Sequence, residues 1–105
     1  MAYQSINPFD GQLLETFDEL TDVELEAALH AADQCFHAWR HTSFAERTAV
    51  VARAAALLRS RADEFARPIT LEMGKLISES LGEVALSADI LDYYAANAER
   101  FLAPQ

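Results

Sequence analysis

The stretch Leu71-Glu72-Met73-Gly74-Lys75 separates two predicted helices and decides how the C-terminal half of the chain is organised. A helical pattern over residues 62 to 73 stops at Gly74, and glycine readily adopts the left-handed conformation just past a helix end. A second helical pattern begins between Ile77 and Glu83. The stretch therefore predicts a helix, a turn and a further helix.

The last helix is predicted to be apolar around most of its circumference. Ser80 and Glu83 have the spacing of a capping box, which indicates a start close to them, and the pattern ends at Leu102. One apolar stripe consists of Val84, Ala88, Leu91, Ala95, Ala98 and Leu102, and further apolar residues off that stripe are Leu86, Ile90 and Tyr93. Such a helix is expected to have neighbours on more than one side.

Capping boxes also mark two helices nearer the N-terminus. Thr21 with Glu24 begins one of them, and Ser43 with Glu46 begins the next. The first of these helices carries an apolar stripe, which consists of Leu25, Ala28, Leu29, Ala32, Phe36 and Trp39. Pro68 interrupts the helix of residues 62 to 73, so we expect either a kink there or a later start of that helix.

A short β-ribbon is predicted before the helices. Residues 3 to 6 and 12 to 17 are rich in β-forming side chains, and Asn7-Pro8-Phe9-Asp10-Gly11 lies between them. Pro8 presets φ for a turn and Gly11 accepts a positive φ. Because two strands alone are marginally stable, the ribbon is expected to pack on another part of the protein.

These patterns predict a mostly α chain, with a ribbon in residues 1–20 and about four helices in residues 21–105. A length of 105 residues corresponds to one domain at most, and 51% hydrophobic residues suffice for a packed core.

The charge balance excludes several classes of partner. With 17 acidic residues against 8 basic ones, the net charge of -9 argues against nucleic-acid binding. Charges interrupt every apolar run before it is long enough to span a membrane, and the start of the chain does not have the pattern of a signal peptide. The acids dominate residues 1 to 33, whereas residues 40 to 67 hold six arginines. This unevenness fits solvated helix faces or a docking surface for a subunit or domain.

The residue chemistry by itself indicates no active site. The single cysteine, Cys35, is expected to be a small buried hydrophobic residue, and a chain with one thiol fits a reducing cytoplasm. His30, His37 and His41 lack a recognisable metal-ligand spacing and are expected at the surface. Phosphate-binding loops and nucleophile motifs are missing, and only three glycines are present. No catalytic and no cofactor-binding residue is therefore predicted.

The Leu71–Lys75 stretch resembles the L-E-x-G-K signature of the aldehyde dehydrogenase superfamily. Residues 7 to 11 resemble the N-P-x-T/D-G turn of that family. The other similar motifs are Trp39-Arg40, Glu46-Arg47, Leu57-Leu58-Arg59, residues 79 to 84 and residues 93 to 101. These motifs follow one another in the family's order, and their residues most resemble those of succinate-semialdehyde dehydrogenases. The resemblance implies the N-terminal part of the α/β aldehyde dehydrogenase fold.

That resemblance implies NAD(P)-dependent oxidation of an aldehyde to a carboxylate through a cysteine thiohemiacetal, followed by glutamate-assisted hydrolysis. Cys35 and Glu72 match neither the catalytic cysteine nor the catalytic glutamate of the family. We therefore expect an N-terminal segment that is not catalytic and binds no NAD or NADP alone. Its expected partners are the remainder of the dehydrogenase chain and, in the parent enzyme, further copies in a homo-oligomer.

The resemblance also implies three site residues. Asp10 and Glu72 match positions at which family members hold a monovalent cation through backbone carbonyls, and Leu86 matches a position that lines the substrate tunnel. For Glu72, a carboxylate held by a local partner near a helix end is the alternative. At the level of the whole chain, the alternatives are a stand-alone acidic helical interaction module and a regulatory remnant that docks on a full-length dehydrogenase.

Overall fold

The structure, a computed structural model, describes residues 2–104 as a two-stranded ribbon followed by four helices. The elements are β1 (Tyr3–Ile6), β2 (Leu13–Phe17), α1 (Asp22–Trp39), α2 (Phe44–Ser60), α3 (Ala62–Met73) and α4 (Ile77–Phe101). This order confirms the predicted mostly α chain with a short N-terminal ribbon. Met1 and Gln105, at the two ends of the predicted ranges, lie outside the described residues.

The ribbon is an antiparallel hairpin closed by the predicted turn. Tyr3 lies opposite Phe17, and the register shifts between Ser5 and Ile6. Inside the turn, Gly11 has a φ of 73°, which glycine adopts without the steric penalty that a side chain brings.

The capping boxes predicted for α1 and α2 are both confirmed. The Glu24 carboxylate accepts the Thr21 backbone N–H at 2.8 Å, and the Glu46 carboxylate accepts the Ser43 backbone N–H at 2.7 Å. These backbone hydrogen bonds, assisted by the Thr21 and Ser43 hydroxyls, lower the pKa of both glutamates because they favour the charged form. The two helix starts are thus fixed by local sequence.

The core lies where α4 packs against α2 and α3, and its side chains are small. The fully or almost fully buried residues are Ala55, Ala66, Ser80, Val84 and Ala88. Small side chains let helix backbones approach closely. The core of the described residues is therefore thin for a chain that is half hydrophobic.

An arginine on α2 links that helix to α4. The Arg59 guanidinium donates to Asp89 at 2.7 Å and to Asp92 at 2.5 Å. These two charge-assisted bonds raise the pKa of Arg59, with the bond to Asp89 contributing most. Because the ion pairs are partly exposed, they fix the register between the helices more than they add free energy.

Two helix boundaries differ from the sequence expectations. α4 begins at Ile77, at the early limit of the predicted range, so Ser80 and Glu83 lie inside the helix and form no capping box. Ser80 is instead buried and shares a hydrogen bond with Thr70. α3 is helical from Ala62 through Pro68, so the expected later start is wrong: the helix follows α2 after a single turn residue.

α1 packs against no other element of the described residues. None of its side chains is buried, and the expectation that Cys35 belongs to the core is wrong because this thiol is exposed. The radius of gyration is 18.2 Å, whereas a compact domain of this length has about 13 Å. The hydrophobic residues are therefore distributed over faces that this part of the chain leaves uncovered.

The lowered pKa of Glu46 predicts a pH dependence of stability. The carboxylate stabilises the folded state above its ordinary pKa of 4.5, and this contribution is lost as the pH falls through the lower folded-state value. When the pH is lowered from 6 into the acid range, the free energy of unfolding should therefore fall less for Glu46→Gln than for the wild type. Urea denaturation monitored by circular dichroism measures both. Glu26→Gln, on an exposed position of α1, is the matched control. Identical acid profiles for Glu46→Gln and the wild type would contradict the prediction.

Candidate functional site

The β-ribbon meets the helices where α3 ends, at a contact that we call the ribbon junction: Ser5, Pro8, Glu72, Gly74 and Lys75. The Ser5 hydroxyl donates to the Glu72 carboxylate at 2.7 Å, joining residues 67 positions apart in the sequence. This bond ties β1 to the last turn of α3. The junction therefore anchors the ribbon to α3 through a polar contact, while the ribbon side chains Tyr3, Leu13 and Phe17 stay more than half exposed.

Two features of the structure require glycine at position 74. Its φ is 69°, in the left-handed region, and it ends α3 with a backbone hydrogen bond to Thr70 at 3.0 Å. In addition, a Cβ atom at this position would lie 3.1 Å from Cγ of Pro8. The turn residue Pro8 thus rests directly against the backbone that separates α3 from α4.

The same turn is held on its other side by α4. Lys75 Nζ lies 2.7 Å from a carboxylate oxygen of Glu83, and the hydroxyls of Thr70 and Ser80 lie 2.9 Å apart. Ser80 is completely buried, so its hydroxyl needs this partner. The two contacts, one ionic and one neutral, fix the start of α4 relative to α3.

A shallow cavity of about 320 Å³ opens beside the ribbon junction. Its lining residues are Asn7, Phe9, Thr70, Leu71, Gly74, Lys75 and Leu76. Lys75 is the one charged residue in this lining, and its amine is engaged by Glu83. The lining offers no pair of groups for acid–base or nucleophilic chemistry.

The three residues predicted for a site lie in different surroundings. The Asp10 carboxylate accepts the Gln12 backbone N–H at 3.0 Å and so supports its own turn. Glu72 is held by Ser5, a partner distant in sequence and not the local one that we considered. Leu86 lies on α4 with 60% of its surface exposed. Sequence reasoning missed Ser5, because nothing in a single strand residue signals a partner 67 positions away.

The histidines lie on the surface, as predicted. His30, His37 and His41 are all exposed, and His37 lies 3.6 Å from Asp33 one helical turn earlier. Within residues 2–104, no group of three or more His, Cys, Asp or Glu side chains is placed to hold a metal ion. No helix in this part of the chain is both long and apolar enough to cross a membrane.

Comparison with known proteins identifies the family of this chain. Residues 1–105 match the sequence profile described as the Aldehyde dehydrogenase family. The chain therefore belongs to the aldehyde dehydrogenase family. Its similarity to structures of such enzymes confirms the predicted fold and identifies an N-terminal part of it.

Individual relatives make the similarity more specific. The chain is 44% identical over 103 residues to a succinate-semialdehyde dehydrogenase [NADP(+)] of Deinococcus radiodurans, covering 98% of this chain and 22% of the relative. It is 41% identical to a probable enzyme of the same name from Synechocystis, covering 100% and 23%.

A solved structure agrees with these relatives. The crystal structure of a succinic semialdehyde dehydrogenase from Streptococcus pyogenes, in complex with NADP+, superposes with a TM-score of 0.90 at 43% identity. The match covers 97% of this chain and 23% of that enzyme. The chain thus spans less than a quarter of the length of these relatives.

The glycines provide a matched test of the ribbon junction. Gly74→Ala should lower the free energy of unfolding by more than the roughly 1–2 kcal/mol that a left-handed alanine costs, because its Cβ also meets Pro8. Gly11→Ala, with a φ of 73° but open space around it, should show the conformational cost alone. Gly82→Ala, inside α4 and free of contacts, should stabilise by about 0.5–1 kcal/mol. Urea denaturation checks the order, and equal losses for Gly74→Ala and Gly11→Ala would rule out the close contact.

Proposed function

We propose that this chain is the N-terminal segment of an NADP-dependent succinate-semialdehyde dehydrogenase. The observation that carries the proposal is its match, along almost its whole length, to relatives that bear this name and cover about four times as much sequence. The enzyme would oxidise succinate semialdehyde to succinate through a thiohemiacetal on a cysteine outside this segment. The segment itself contributes structure and no catalytic residue.

The described residues support a structural and non-catalytic role for this segment. Cys35, the one thiol, lies exposed on α1, which contacts no other element of the described chain. The three glycines occupy the ribbon turn, the end of α3 and the interior of α4, so none belongs to a phosphate-binding loop. In the complete enzyme, bound NADP would supply the hydride acceptor, and its site belongs to the rest of the enzyme.

Two further roles carry over as parts of this proposal. Leu86, exposed on α4, would form part of the wall of the substrate tunnel. The backbone carbonyls of Asp10 and Glu72 would help to hold a monovalent cation, and replacing Na+ and K+ by tetramethylammonium in the enzyme assay below tests this role. The homo-oligomer and the cytoplasmic location also stay predictions.

A stand-alone interaction module is less well supported by the structure. Such a module is expected to bury its own apolar faces, whereas large side chains on α1 and α4 are about half exposed here. The chain also exposes 8433 Å² of surface, against about 5,800 Å² for a compact folded monomer of this mass. These features favour a segment of a larger protein.

A chimeric enzyme tests the proposed function. In it, this chain replaces the matching segment of the Streptococcus pyogenes enzyme. We expect saturable reduction of NADP+ with succinate semialdehyde, because the segment supplies the same fold at 43% identity. The 105-residue chain alone should show no turnover. A soluble, folded chimera without activity would contradict the proposal, as would turnover by the isolated chain.

Leu86 provides a test at the level of one residue. In the chimera, Leu86→Trp should raise KM for succinate semialdehyde about tenfold, because a larger side chain narrows the tunnel. Ser87→Trp, one residue further along α4 and also exposed, is the matched control and should leave KM unchanged. Steady-state kinetics separate KM from kcat. Equal effects of the two substitutions on KM would contradict the proposal that Leu86 lines the tunnel.

A further inference from the structure

Arg59 bridges α2 and α4 through two carboxylates that lie three residues apart on α4. Its guanidinium donates to Asp89 at 2.7 Å and to Asp92 at 2.5 Å. Within residues 2–104, these are the only side-chain hydrogen bonds that join α2 to α4. Because a guanidinium presents its donors in a fixed plane, holding two carboxylates at once defines both the rotation of α4 and its position along α2.

The packing between α2 and α4 does not interlock by itself. Its buried residues include Ala55 and Ala88, which are small. A shallow groove of about 440 Å³ also lies between the two helices, and it is lined mainly by alanines such as Ala52 and Ala95. Small side chains form low ridges, so that one helix can slide or rotate on the other with little steric resistance. The alignment of α4 along α2 therefore depends on Arg59.

Leu86 lies on α4 between two polar anchors. Before it, the Ser80 hydroxyl is held by Thr70 of α3, which fixes the start of α4. After it, Asp89 is held by Arg59. Asp89 lies only three residues beyond Leu86, a distance of about 4.5 Å along the helix axis. A change at the Arg59 contact therefore shifts the exposed side chain of Leu86 directly.

We propose that Arg59 is a positioning residue for the substrate tunnel: through its two carboxylate partners it holds α4 so that Leu86 presents its side chain to the aldehyde. The inference rests on the proposed function, in which Leu86 forms part of the tunnel wall. Arg59 acts through the alignment of a helix and needs no contact with the substrate. Its loss should therefore change how tightly the aldehyde is bound.

Arg59→Met tests the proposal in the chimera with the Streptococcus pyogenes enzyme. The substitution keeps an aliphatic side chain but removes both hydrogen bonds, so KM for succinate semialdehyde should rise about fivefold. Arg59→Lys, which can reach one carboxylate, should have an intermediate KM. KM does not depend on how much of the enzyme is folded, so a loss of stability alone would lower only the apparent kcat. Steady-state kinetics at saturating NADP+ measure both constants.

Arg61→Met is the matched control. The side-chain hydrogen bonds of Arg61 go to Glu64, three residues further along, and not to α4. The substitution removes the same positive charge as Arg59→Met, so it reproduces any loss of long-range attraction for an anionic substrate. KM for succinate semialdehyde should stay close to the wild-type value.

The two carboxylates distinguish positioning from long-range electrostatics. Succinate semialdehyde carries a carboxylate, so Asp89→Asn or Asp92→Asn would lower KM if only the charge mattered. Positioning predicts the opposite, a raised KM, because each substitution weakens one hydrogen bond to Arg59. Either substitution should also add little to Arg59→Met, since both members of the pair disrupt the same contact.

A double substitution tests whether Arg59 acts through Leu86. In a Leu86→Ala background, Arg59→Met should raise KM by a smaller factor, because the side chain that it positions is gone. Equal factors with and without Leu86→Ala would overturn the inference.

The outcomes separate this inference from the proposed function. In an active chimera, an unchanged KM for Arg59→Met, or equal rises for Arg59→Met and Arg61→Met, overturns the inference and leaves the function intact. A lowered KM for the two aspartate variants does the same. A folded chimera that does not reduce NADP+ contradicts the function and, with it, the inference. If Arg59→Met does not fold, Arg59→Lys and Asp92→Asn give the decision.

Discussion

The close approach of α4 to α2 and α3 is the constraint on which the described structure depends. It is possible because the contact positions hold alanine, serine and valine, with Ala55, Ala66 and Ala88 fully buried. Once the helices are this close, the Arg59 guanidinium reaches two carboxylates on α4, and the Thr70 hydroxyl reaches Ser80. The small side chains thus make these polar contacts possible, and the contacts in turn fix how α4 is aligned along α2 and α3.

The end of α3 transmits this arrangement to the ribbon. Gly74 lets the chain leave α3 in a left-handed conformation and leaves room for Pro8, while Glu72 receives the Ser5 hydroxyl. The L-E-x-G-K stretch is therefore an architectural element in this segment. Its glutamate and glycine join the ribbon to the helices.

Local sequence predicted the elements well, because their determinants are local. The capping residues Thr21 and Ser43, the turn glycine Gly11 and the helix-ending Gly74 all have the roles expected of them. The failures concern tertiary contacts: Ser80 has capping-box spacing, but burial against Thr70 gives it another role. Cys35 has core periodicity, yet periodicity shows only which side of α1 is apolar. It cannot tell whether the covering surface belongs to the same segment.

The Ser5–Glu72 contact closes a loop that contains both α1 and α2, because its partners are 67 positions apart. Closing a long loop carries an entropic cost, and one exposed hydrogen bond contributes only about 0.5–1.5 kcal/mol against it. The helices α2 to α4, by contrast, are joined by short connections and pack with their chain neighbours. Because of this difference, we expect the ribbon to attach late in folding and to detach early in unfolding. The N-terminal strands are thus attached at one end of α3, by contacts that cost little free energy to break.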